Sequence, residues 1–277
     1  MRHRGLLFLV LLLAFACPAA ADPLRLDGPF VQGGLVFGHV EPTATVELDG
    51  RPFRVGPDGR FLIGFGRDAA PMARLSVRHA DGTIEERDLA VAQRSYDIQR
   101  IDGLPPDKVT PSADDLKRIK DDQERIARAR QNDTAQPYFA SGFVWPAVGT
   151  ITGVYGSQRI LNGEPRQPHY GVDVAAPVGA PVVAPADGVV SFADPNLFFT
   201  GATLMIDHGH GLSSTFLHLS EITVRVGERV RQGDLIARAG ASGRATGPHL
   251  DWRINLFDIR IDPMLVVGPM PEPTLAQ

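Results

Sequence analysis

Five of the eight histidines in this chain, His169, His208, His210, His218 and His249, fall within one stretch of its C-terminal half. Imidazole binds zinc and titrates near neutral pH, so such a cluster points to a metal site, to acid–base chemistry, or to both. His169 is followed four residues later by Asp173, which together offer one nitrogen and one oxygen ligand. His249 and Asp251 stand two apart in Gly-Pro-His-Leu-Asp-Trp-Arg-Ile, and on a strand this period puts both side chains on one face. The same period brings Arg253 to that face, so an Asp251–Arg253 ion pair on a half-exposed strand competes with the site reading. His210 reads as an exposed turn residue outside any ligand set.

These residues need a frame of closely spaced strands. After Pro137 the chain is rich in Gly, Val, Ala and Pro, with short apolar runs such as Val182-Val183, Val189-Val190, Leu204-x-Ile206 and Leu235-Ile236 broken by glycines. That pattern predicts an all-β C-terminal domain over 137–277 whose turns bring distant side chains together. From Pro29 to Val91 apolar residues alternate, as in Val46-x-Leu48, Phe61-x-Ile63 and Leu75-x-Val77. Asp49-Gly50, Asp58-Gly59 and Asp81-Gly82 supply hairpin turns. A small antiparallel, sandwich-like β-domain over 22–95 follows. It carries no site-like cluster and reads as a packing or docking module. Between them, 96–136 reads as a linker with a charged helix over Ser112–Gln131. Ser112 and Asp115 form its capping pair, and Leu116, Ile119 and Ile126 its apolar stripe. The fold class is mainly β.

At the N-terminus, Arg2 and Arg4 precede an apolar run from Leu6 to Ala16 and the small residues Ala19-Ala20-Ala21, the order of a secretory signal over 1–21. The run is too short to cross a bilayer core of roughly 30 Å as a helix, so no stable membrane span is expected. The one cysteine, Cys17, lies inside this segment and would become an acylated first residue only in a lipoprotein. Loss of the segment moves the formal charge from −4 to −6. No basic excess points to nucleic acid or to anionic lipid.

Several motifs, in order, resemble the lysostaphin-type (LytM-like) zinc endopeptidases. They are Tyr155-Gly156-x-x-Arg159, His169-x-Gly171-x-Asp173, Ala186-Asp187-Gly188, His208-Gly209-x-Gly211, Leu217-His218-Leu219 and Thr246-Gly247-Pro248-His249. The likeness runs from about residue 142 to 267 and leaves out the N-terminal β-domain. It implies a compact β-structure with an open groove, a Zn2+ ion, and the peptide part of peptidoglycan as substrate. It also implies His169 and Asp173 as metal ligands and His218 and His249 as catalytic residues beside the attacking water.

At the third ligand position the family carries histidine and this chain carries Asp251; Phe216 likewise replaces a usual tyrosine. Aspartate binds zinc, so the implied metal set is His169, Asp173 and Asp251. Two carboxylates cancel the formal +2 of the ion, where the usual set leaves +1, and a less positive site is a weaker Lewis acid. The expectation is an exported metalloendopeptidase of the periplasm or cell envelope that hydrolyses peptidoglycan cross-links or bridges. Its N-terminal domain would offer a surface to a cell-wall or division protein. The alternative, favoured by Asp251, is a catalytically inactive LytM-like binding protein that regulates another wall hydrolase.

Overall fold

The computed structural model describes residues 24–102 and 113–271. The signal segment and Ser112 of the capping pair lie outside them. In the N-terminal region, Arg25–Asp27, Leu35–His39 and Arg60–Gly64 form one antiparallel sheet. Arg51–Phe53, Thr45–Leu48, Met72–Arg78 and Ile84–Ala90 form a second. Alternation does what it predicts: Ala73, Leu75 and Val77 are buried while Met72, Arg74 and Arg78 face solvent. These residues join Val36, Val46, Phe61 and Ile63 in an apolar core.

The C-terminal region is built on an eight-stranded sheet. Its strands run in the order Arg229–Val230, Gly188–Leu197, Gly201–Gly209, Leu212–Leu219, His249–Leu256, Val172–Ala175 and Ile151–Gly153, with Ile259–Ile261 added to His249–Leu256. Every pairing in it is antiparallel. A smaller sheet joins Pro181–Val183, Leu235–Arg238 and Glu221–Ile222. Gly201–Gly209 and Leu212–Leu219 are buried along their whole length, which requires cover on both faces.

The charged helix, Ala113–Ala129, lies against this sheet. Arg118 Nη2 donates to Asn196 O at 2.7 Å, Phe198 N–H donates to Asp122 Oδ2 at 2.8 Å, and Arg125 pairs with Asp194. Of its apolar stripe, Ile119 is buried, Ile126 is half-buried and Leu116 is exposed. The segment assigned to the linker also holds a strand, Ile98–Ile101, which pairs in parallel with Gln158–Leu161. Parallel pairing across about 60 residues carries no local sequence signal, because no hairpin turn connects the two strands. The two regions share one continuous core, closed at the seam by Arg94 Nη1 and Asp262 Oδ2 at 2.8 Å and by Tyr96 packed edge-on against Tyr155. Among the described residues no helix is long and apolar enough to cross a membrane.

Candidate metal centre

One rung of the large sheet carries the centre. Leu217, Asp251, Asp173 and Gly153 lie opposite one another on four neighbouring strands. A Cβ on Gly153 would come within 2.2 Å of Asp173 Oδ2, so the missing side chain leaves the carboxylate its place. His169 enters from the loop before Val172–Ala175. Its Nδ1–H donates to Val154 O at 3.3 Å, which turns Nε2 toward Asp173 Oδ1 at 3.1 Å and Asp251 Oδ2 at 3.5 Å.

His169 Nε2 and Asp173 Oδ1 are buried, yet neither makes an aligned hydrogen bond. Ligand atoms from His169, Asp173 and Asp251 all lie within 4.8 Å of one another. Buried polar atoms are nearly always paired, so unpaired ones converging on a point mark a place for a cation. One imidazole nitrogen with two carboxylate oxygens suits zinc and leaves a fourth position open. Burial disfavours charge on His169, but Asp173 and Asp251 outweigh it and push the imidazole up to about 10 without metal. Burial likewise opposes the Asp251 charge, and the Arg253 guanidinium with His169 overcomes it, holding the carboxyl well below the usual range.

Asp251 meets the geometry of both readings. It shares the metal-ligand cluster, and it also takes a forked contact from Arg253, with Nε 2.9 Å from Oδ1 and Nη2 2.5 Å from Oδ2. The strand is not half-exposed at this point, since Asp251 is 3% exposed.

His218 and His249 stand beside the ligands with ring centroids 4.8 Å apart. His218 Nδ1–H donates to Ser242 O and His249 Nδ1–H to Gly247 O, each at 2.8 Å. A carbonyl can only accept, so in both neutral rings the Nε2 lone pair is free to take a proton. His249 Nε2 lies 3.8 Å from Asp173 Oδ1. Burial pushes His218 below the ordinary histidine value. His218 also sits at a break in register: Ala202 opposes Leu219 and Leu204 opposes Phe216, so Leu217 and His218 together face Thr203. This bulge, with φ of 60° at His218, re-aims the imidazole.

The remaining clustered histidines lie elsewhere. His208 is fully buried, its Nδ1–H donating to Asp187 O at 2.7 Å and its Nε2 facing Ser214 Oγ at 2.9 Å. His210 was expected to be an exposed turn residue. It is in a turn, with φ of 52°, but is only 2% exposed, packed edge-on against Phe139 with Nε2 3.1 Å from Ala135 O. The segment before residue 137 covers that turn, a tertiary contact that turn chemistry does not reveal. Sequence reasoning also missed the clearance at Gly153, which no motif marks, and at Gly171, where a Cβ would lie 2.6 Å from Asp251 Oδ1 and from Arg253 Cγ. The second had a signal, because Gly171 sits between His169 and Asp173.

Residues 167–263 match Peptidase family M23. Over 108 residues the chain is 40% identical to the DD-carboxypeptidase/endopeptidase Mpg of Neisseria meningitidis, covering 39% of this chain and 25% of that protein. Over 97 residues it is 40% identical to the peptidoglycan DD-endopeptidase ShyB of Vibrio cholerae, covering 35% of this chain and 22% of that one. The chain thus spans about a quarter of the length of these relatives. A crystal structure of a putative peptidase M23 from Pseudomonas aeruginosa superposes with a TM-score of 0.68 at 29% identity, covering 88% of this chain and 96% of that one. That similarity takes in the N-terminal sheets as well as the C-terminal region.

Proposed function

Taking residues 167–263 as a domain of Peptidase family M23, we propose that this protein is a zinc metalloendopeptidase that hydrolyses peptide cross-links or bridges of bacterial peptidoglycan. The observation that carries the reading is the convergence of His169, Asp173 and Asp251 ligand atoms beside two imidazoles whose Nε2 atoms are free. One relative named as a peptidoglycan DD-endopeptidase and one named as a DD-carboxypeptidase/endopeptidase support the substrate class. The regulatory binding-protein reading rested on the exchange of histidine for Asp251, and its weight falls because Asp251 stays within reach of the other ligands.

His169, Asp173 and Asp251 would hold the ion. When bound, zinc supplies Lewis acidity that polarises the scissile carbonyl and acidifies a water. Either His218 or His249 accepts the proton of that water at Nε2 and passes it to the leaving amine. The other imidazole, as the imidazolium protonated at Nε2 as well as Nδ1, donates a hydrogen bond to the negative charge that develops on the carbonyl oxygen. The Nδ1 bonds to Ser242 and Gly247 leave Nε2 of each ring as the atom that takes or gives the proton.

We read the chain as a signal segment over 1–21, a β-domain over 22–95, a linker over 96–136 and this machinery over 137–277, and propose an exported protein of the periplasm or envelope with a mature N-terminus near Asp22. Zinc measured on the purified mature protein, beside release of peptides from isolated peptidoglycan, tests the reading. About one zinc per chain with hydrolysis is expected, and His169→Ala should lose both. A wild-type protein that binds no zinc at micromolar metal would overturn it.

A further inference from the structure

Zinc bound by two carboxylates and one imidazole is formally neutral, which sets this centre apart from one with two imidazoles and a carboxylate. The surroundings supply the missing charge. Arg253 lies two residues from Asp251 on the same strand face and grips its carboxylate with Nε and Nη2. Arg253 makes no ion pair with any other carboxylate among the described residues. Gly171 gives the pair its room, since a Cβ there would strike both Asp251 Oδ1 and Arg253 Cγ. Nη2 donates to Oδ2, the oxygen nearer His169, at 2.5 Å, while Nε–H is shared between Oδ1 at 2.9 Å and Oδ2 at 3.2 Å; with Nε nearer to Oδ1, Nη2 is the main donor to Oδ2, and that oxygen still has room for a metal.

We propose that Asp251 and Arg253 form one neutral ligand unit that stands in for a single histidine, so that removing the charge of either alone unbalances the site. The inference rests on the zinc reading above. With Arg253 counted, the centre carries net +1, the charge of a two-histidine, one-aspartate site. Arg130 and Arg260 face the same patch closely enough for their charges to oppose one another and that of Arg253. Histidine at 251 would therefore leave the Arg253 guanidinium without its forked partner against the ion, with two further cations nearby and the Asp173 carboxylate committed to the metal. Arg253 is a positioning residue: it acts on the ion and the reaction through Asp251.

The test is a cycle of Asp251→His, Arg253→Met and the double variant. Zinc dissociation constants are read by competition with a chromogenic chelator, and thermal unfolding is followed with and without zinc. Asp251→His alone should weaken zinc by about 1,000-fold, the scale of one unit charge about 4 Å away at an effective dielectric near 20. The double variant should return to within about tenfold of wild type, because His–Met is as neutral as Asp–Arg. Arg253→Lys, which keeps the charge and loses the fork, should stay within about tenfold of wild type. Arg253→Met alone leaves a buried carboxylate unpaired, so zinc should raise its melting temperature by more than it raises that of wild type.

Equal zinc affinity in Asp251→His and the double variant would overturn the unit. So would a double variant that stays folded without regaining zinc, or an unchanged zinc-induced shift in Arg253→Met. Wild type failing to bind zinc in the same assay would instead bring down the zinc reading itself.

Discussion

The strand Met72–Arg78 in the N-terminal region and the strand Leu212–Leu219 in the C-terminal region are both central and antiparallel, and they treat polar residues in opposite ways. In the first, Ala73, Leu75 and Val77 point into the core and Arg74 and Arg78 point out. In the second, Ser213, Ser214, Thr215 and His218 are buried with the apolar residues, and the register breaks at Leu217 and His218. Burying a polar group costs free energy unless it is hydrogen-bonded, so such a strand persists only where neighbouring elements provide partners. Ser214 shows how: Trp252 Nε1–H donates to its Oγ at 3.3 Å, and the hydroxyl faces His208 Nε2. One region is stabilised by pattern, the other by specific partners. Stability and chemistry should therefore separate on mutation.

The largest effect should come from the two imidazoles beside the candidate centre. His218→Ala and His249→Ala are expected to keep most of the metal and lose about 10² to 10⁴ in turnover, the usual contribution of a general acid or base. Metal analysis beside steady-state rates checks this, and zinc loss equal to that of His169→Ala would show the ligand and proton-transfer roles to be wrongly divided. Next, Leu75→Ala in the patterned region should cost about 2 to 5 kcal/mol in denaturant unfolding and leave zinc affinity unchanged. Gly153→Ala should do the reverse. Its new Cβ would displace the Asp173 carboxylate, which can swing aside with little cost to the fold, so zinc affinity should drop by about tenfold or more at nearly unchanged melting temperature.

Two buried histidines sharpen the comparison through pH. Burial lowers His208 to about 4, against 6.5 for a free histidine. The unfolded chain then takes up a proton below pH 6.5 that the folded protein refuses. His208 thus contributes stability above pH 6.5, up to about 3 kcal/mol, which is lost as pH falls from 6.5 toward 4. In the N-terminal region a hydrogen bond to Glu41 at 2.7 Å raises the His79 value against the effect of burial. Its contribution runs the other way: complete below pH 6.5 and lost as pH rises through the folded value. Melting temperatures across pH 4 to 8 for His208→Gln and His79→Gln, each subtracted from wild type, should therefore slope in opposite directions. The His79 effect should be the smaller, and parallel slopes would refute the contrast.

The sequence by itself determined the β architecture, because alternation and Asp-Gly turns act over a few residues, and it determined which side chains could do chemistry. His249 and Asp251 could be grouped from spacing, since a strand places residues two apart on one face, whereas the four-residue spacing of His169 and Asp173 carried weight only with the resemblance. The role proposed for His218 came only through resemblance, because what aims its ring is a bulge set by register against Gly201–Gly209. Tertiary structure alone decided that His208 and His210 are buried away from the centre and that Ile98–Ile101 pairs with a strand about 60 residues on. It also decided that Asp173 and Asp251 share a rung, that Gly153 leaves that rung open, and that the Asp251–Arg253 pair, readable from spacing, is buried beside His169. The reason is range: propensity and periodicity are local, whereas clearance, register and charge balance depend on residues that meet only after the strands have paired.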